Sequence, residues 1–90
     1  MPFVLVRHKV QDFAKWKPFY DADAAVRQKA GLRDKAVLRN ADDPQEVILL
    51  FETDDLAAAR QFTAAPQLRE IMEKAGVIDQ PTMFFLENAG

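Results

Sequence analysis

Val47-Ile48-Leu49-Leu50-Phe51 is an unbroken apolar run, and a second, Met83-Phe84-Phe85-Leu86, lies near the end of the chain. Each is too short for a free-standing helix and is rich in β-branched or aromatic residues, so each is read as a strand. Side chains of a strand alternate between two faces, and an all-apolar strand must be covered on both. A chain of 90 residues has little material with which to do this alone.

Working outward from the first run, Glu46 to Thr53 forms a strand preceded by Asn40-Ala41-Asp42-Asp43-Pro44, a cluster of turn formers that reads as a hairpin connection. Its hairpin partner, Leu32 to Asn40, is more polar and suits a sheet edge. Phe3 to Lys9 is a strand, and Thr82 to Glu87 carries the second apolar run as the last one. A first helix is expected from Phe13, capped by Asp12, to about Ala30, with Gly31 as its left-handed cap and Pro18 in its early turns. Thr53 and Asp54 are expected to cap a second helix from about Asp55 to Ala64. Pro66 divides it from a further piece, Gln67 to Ala75, which ends at Gly76. Asp12-Phe13-Ala14 and Asp55-Leu56-Ala57 form a weak internal echo, an acidic residue opening an apolar-faced helix in each half.

The order β-α-β-β-α-β predicts an α+β, ferredoxin-like domain over residues 1–90: a four-stranded antiparallel sheet with the helices on one face. The other face is left bare, and either Ile48 and Leu50 or Val47, Leu49 and Phe51 must lie on it. A bare apolar face of several hundred Å2 is about the size at which association is expected. Two such sheets packed face to face make a homodimer in which each covers the other.

Composition excludes several function classes. Apolar residues make up 49% and charged residues 29%, ordinary values for a globular protein, and net charge is −2. There is no basic surplus for a nucleic acid; Arg7-His8-Lys9 is short and has acidic neighbours. With no cysteine and one histidine, disulfides, thiolate sites and a multi-histidine metal site within one subunit are excluded, and neither metal nor cofactor is expected. The N-terminal stretch has no basic region ahead of an apolar one and is too short for a signal peptide or a membrane span, so a cytoplasmic location away from membranes is expected. There is no Gly-rich phosphate loop and no nucleophile elbow. Asp42 and Asp43 read as turn residues. Leu68, Ile71, Met72 and Ala75 form an apolar stripe read as core, and Ala57-Ala58-Ala59 suits close helix packing.

The first helix carries the chemistry. At 100° per residue, Phe13, Trp16, Tyr20, Asp23 and Arg27 share one stripe. Asp23 and Arg27 stand four apart on the side that should be buried, where their side chains can meet as an ion pair. One reading is a structural pair that closes the helix end. The other is a pocket between helix and sheet, with Trp16 and Tyr20 as an apolar wall and Asp23 and Arg27 as the polar groups that orient a ligand. His8, at the end of the first strand with Arg7 on the opposite face, titrates near neutral pH. It is either a hydrogen-bonded or exposed strand-end residue, or a general base at the pocket mouth.

Val6-Arg7-His8-Lys9-Val10 with Asp12-Phe13 and Trp16-Lys17, Arg39-Asn40-Ala41-Asp42-Asp43-Pro44, Phe51-Glu52 with Asp54-Asp55-Leu56, and Ala75-Gly76-Val77 together resemble the dimeric α/β-barrel superfamily. Within it, the likeness is to small proteins of the antibiotic-biosynthesis-monooxygenase and cyclase-like type, and it covers nearly the whole chain. The resemblance implies paired ferredoxin-like sheets and, among the superfamily's reactions, cofactor-independent oxygenation of aromatic polyketides, haem degradation and lactone isomerisation. The Asn-Trp-His set of the haem-degrading members has no counterpart here, with Trp16 on the helix and His8 on the strand. Two function classes follow: binding or conversion of a small organic, aromatic molecule without a cofactor, with His8, Trp16, Tyr20, Asp23 and Arg27 as the site, or a non-catalytic binding or stress-associated module. A subunit of a larger assembly, joined through a sheet edge, is a third.

Overall fold

The computed structural model describes residues 2–90. Strict alternation in β1 (Phe3–Lys9) turns Val4, Val6 and His8 inward and Phe3, Leu5, Arg7 and Lys9 outward. Helix α1 (Phe13–Ala22) starts where expected, the Asp12 carboxylate accepting from the Ala14 amide at 2.9 Å. It does not run on to Ala30. The helix breaks at Asp23 (φ −92°, ψ 12°), and a separate α2 (Ala24–Lys29) follows. Asp is a weak helix former, and the Tyr20 carbonyl at the break accepts from the Asp23 amide at 3.3 Å and from Arg27 Nη1 at 2.6 Å. Gly31, at φ +83°, then turns the chain into β2 (Leu32–Asn40).

β2 and β3 (Asp43–Thr53) form the expected hairpin, with Asn40 paired to Asp43. β3 starts at Asp43, ahead of the expected Glu46, because the turn is tight: Asn40 Oδ1 accepts from the Asp42 amide and Asp43 Oδ1 from the Gln45 amide. A register shift between Asp34 and Ala36 leaves Lys35 as an extra residue, so that Val37 turns inward opposite Leu49 and Leu38 outward opposite Ile48. Helix α3 (Leu56–Ala64) is capped by Asp55, whose carboxylate accepts from the Ala58 amide at 3.1 Å. The cap is therefore one residue later than Asp54; buried Thr53 supports it, its Oγ1 accepting from the Asp55 amide. Pro66 opens α4 (Pro66–Lys74), and Gly76 (φ +92°) closes it. The strand β4 (Thr82–Leu86) completes an antiparallel sheet of order β2-β3-β1-β4.

Val4, Val6, Val47, Leu49 and Phe51 make the core beneath the helices. Of the first apolar run it is Ile48 and Leu50, both half-buried, that occupy the open face, together with exposed Leu38, Phe84 and Leu86. Charged groups close that face at both ends. Arg7 bridges Glu46 (2.7 Å) and Asp79 (3.0 Å) at one end, and Arg33 bridges Glu52 (3.2 Å) and Asp54 (3.1 Å) at the other. Among the described residues no helix is long and apolar enough to cross a membrane.

Candidate functional site

A cavity of about 80 Å3 lies between α1, the inner face of the sheet and α4. Its lining is nearly all apolar and includes His8, Trp16, Tyr20, Asp23 and Arg27, the five residues expected from sequence. Trp16 is the wall of the chamber. Its ring stacks on Tyr20, with centroids 5.0 Å apart and planes 30° from parallel, and meets His8 edge to face at 5.6 Å. Helical spacing of four carries Trp16 to Tyr20 on one face, and the alternation of β1 sets His8 beneath them.

His8 is neither exposed nor at the mouth. It is 1% exposed and its Nδ1 has no hydrogen-bond partner. Burial lowers its pKa below the ordinary 6.5, against an opposing pull from Asp79, so the imidazole is neutral at pH 7. Asp79 holds the strand end in place: its carboxylate accepts from the Lys9 amide at 2.7 Å and from Arg7 Nη1 at 3.0 Å. The Tyr20 hydroxyl is also buried without a partner. Burial pushes its pKa up to about 12; the Arg27 charge opposes this, and the nearby Asp34 carboxylate adds to it.

The expected Asp23–Arg27 pair does not form. Arg27 is 7% exposed and turns away from Asp23, donating from Nε to Asp34 Oδ1 at 3.1 Å and from Nη2 to Asp34 Oδ2 at 3.0 Å. Its guanidinium lies 3.7 Å from the centre of the Tyr20 ring and donates to the Tyr20 carbonyl. A planar fork matched to a carboxylate is the better arrangement, so Arg27 takes Asp34 although its amide still bonds the Asp23 carbonyl one turn back. Arg27 thus ties α1, α2 and β2 together, and its charge is neutralised before any ligand arrives. Asp34 is the participant that sequence reasoning missed. It stands seven residues from Arg27, outside helical spacing, but two residues after buried Leu32 on the helix-facing side of β2, where a carboxylate calls for a cation.

Of the stripe expected to be core, Ala75 at the end of α4 is buried, but Leu68, Ile71 and Met72 on the helix are not. These three side chains are half-buried because they face the cavity. Phe19 and Val26, 48% and 42% exposed, stand at the opening. The cavity therefore has a rigid aromatic and sheet wall on one side and a lightly packed helix on the other. Among the described residues no group of three or more His, Cys, Asp or Glu side chains is placed to hold a metal ion.

Solved structures share this architecture from end to end. An antibiotic biosynthesis monooxygenase superposes with a TM-score of 0.71 at 15% identity, over 100% of both chains. A candidate antibiotic biosynthesis monooxygenase from Bordetella bronchiseptica gives 0.80 at 14% identity, over 98% of this chain and 96% of its own. The fold is that of the antibiotic-biosynthesis-monooxygenase-like proteins. It is wider than that group, since a NIPSNAP domain protein from Burkholderia xenovorans gives 0.68 at 13% identity, over 99% of this chain and 95% of its own. No protein-family model matches the chain, and no curated protein matches it in sequence. The likeness bears out the ferredoxin-like α+β fold read from sequence, and at these identities it speaks for the fold alone.

Proposed function

We propose that the protein binds a small, mostly apolar organic molecule in the cavity beneath α1, as one subunit of a homodimer joined through the open sheet face. The observation that carries the ligand reading is the apolar chamber walled by Trp16, with His8 among its lining residues, fully buried and its Nδ1 unpartnered. A buried polar group without a hydrogen bond costs about 1–3 kcal/mol, and a bound molecule that bonds to it removes the cost. Neutral imidazole offers one donor and one acceptor, so His8 can orient a ligand or take a proton from it. It is the one lining group suited to proton transfer at neutral pH. Conversion without a cofactor, as in monooxygenase- or cyclase-like relatives, would run through His8, with Trp16 and Tyr20 holding the substrate plane.

Support for the dimer is physical. Leu38 and Phe84 are 53% and 50% exposed on a face whose centre is apolar and whose ends are paired charges. Such a face favours a second copy with the same pattern. Native mass spectrometry of protein purified from cells tests both parts at once. A dimer mass carrying an organic adduct, lost in His8→Leu, is expected. A bare mass in every preparation, together with no binding from a small-molecule panel, contradicts the ligand reading.

A further inference from the structure

The cavity has one charge that none of the described residues neutralises. Its titratable lining residues are His8, Tyr20, Asp23 and Arg27. Arg27 is matched by Asp34 in a two-bond pair. His8 and the Tyr20 hydroxyl are uncharged at neutral pH, for the reasons of burial given above. Asp23 remains. It is half-buried at the break between α1 and α2, it lines the cavity, and its carboxylate has no hydrogen-bond or ion-pair partner among the described residues. The cation four residues on, its natural partner, is held by Asp34 instead. A second, independent sign of a ligand is the chamber itself: the apolar side chains Leu68, Ile71 and Met72 of α4 face it and stay half-buried.

We infer that the cavity takes a small apolar amine, its ammonium on the Asp23 carboxylate at the rim and its apolar body between Trp16 and the Ile71–Met72 side of α4. This rests on the ligand-binding reading above and adds the charge of the ligand to it. A carboxylate accepts hydrogen bonds and donates none, so an ammonium supplies both the protons and the charge the site lacks. An alcohol supplies one proton and no charge. A carboxylate ligand would set two like charges side by side in a half-dry site, where the repulsion is strong.

Trp16 is the only tryptophan of the chain and forms the cavity wall, so its fluorescence reports occupancy directly. Benzylamine, benzyl alcohol and benzoate have nearly the same body and differ in charge. Titrated into the full-length protein at pH 7 and 0.15 M salt, benzylamine is expected to bind about tenfold or more tightly than benzoate, with benzyl alcohol between them. Asp23→Asn, which breaks no bond of the fold, is expected to bring the three within about threefold of one another. Asp21→Asn, at an exposed neighbour paired with Lys17, is expected to leave the order unchanged. Benzoate binding as tightly as benzylamine, or an order that survives Asp23→Asn, overturns the amine assignment. Equal binding of all three overturns it while leaving the cavity as a ligand site. No response to any of them, at concentrations that saturate a weak site, overturns both.

Discussion

Replacing His8 with leucine should make the protein more stable. The imidazole is 1% exposed with Nδ1 unpartnered, and leaving such an atom dry costs about 1–3 kcal/mol. Leucine fills a similar volume and has no polar atom to desolvate. The substitution forfeits the edge-to-face contact with Trp16 at 5.6 Å, and aromatic pairs contribute about 0.5–1.5 kcal/mol. The balance favours leucine by about 1 kcal/mol, or about 4–8 °C in Tm for a domain of this size. Thermal and urea unfolding at a fixed protein concentration measures it, since a dimer makes Tm depend on concentration. The same variant isolates a pH effect. Folded His8 has its pKa below the 6.5 of the unfolded chain. Above pH 6.5 the residue is neutral in both states and costs nothing by titration. As pH falls through 6.5 the unfolded chain takes up a proton that the folded chain refuses, and stability declines at up to about 1.4 kcal/mol per pH unit. As pH falls below 6.5 the wild type should therefore lose stability by this route and His8→Leu should not. The carboxylates Asp43, Glu46 and Asp79, held below their ordinary values, contribute losses only at lower pH. A His8→Leu protein less stable than wild type by 1 kcal/mol or more, with the pH slope intact, would refute the reasoning and make His8 a satisfied structural residue.

Arg27→Ala should destabilise the protein by about 2–3 kcal/mol in urea unfolding. It removes the Asp34 fork, the bond to the Tyr20 carbonyl and the ring contact. Asp34→Ala should cost less, about 1–2 kcal/mol, because Asp34 is 43% exposed while the guanidinium keeps one bond; equal and negligible effects would show the pair to be idle. Light scattering at micromolar concentration should give twice the chain mass, and Phe84→Glu, which sets a charge on the open face, should give monomer. A stable wild-type monomer would contradict the covering argument. Gly76→Ala should cost roughly 1 kcal/mol, because the residue sits at φ +92° with open space around it, so the cost is backbone strain and not a clash; no change in Tm would show that the end of α4 relaxes freely.

Strand order and the open face were legible in the sequence because period-two patterns and turn formers act locally. The run Val47–Phe51 already required two covers, and the alternation of β3 decides between the two divisions left open, with Val47, Leu49 and Phe51 beneath the helices and Ile48 and Leu50 on the open face. Gly31 and Gly76 marked helix ends because both adopt positive φ. What escaped depends on competition between distant groups. A helix stripe shows Asp23 and Arg27 as neighbours, which they are in the backbone, but Asp34 offers the Arg27 guanidinium better geometry from another element. The burial of His8 escaped for a similar reason. Its place at a strand end suggested exposure, whereas Val77 and Ile78 pair beside that end, Ile78 donating to the Lys9 carbonyl at 2.9 Å, and Trp16 of α1 packs on the ring. The stripe of α4 looked like core because periodicity reports an apolar face and cannot tell a packed neighbour from an empty chamber.

That chamber is tested most directly by diffraction from crystals held under xenon, which enters dry apolar cavities and is located by its anomalous signal. A xenon peak enclosed by Trp16, Phe51 and Ile71 is the expected result. Crystals with no peak there, and with the α4 side chains packed solidly onto Trp16 and the sheet, would contradict the ligand site beneath α1.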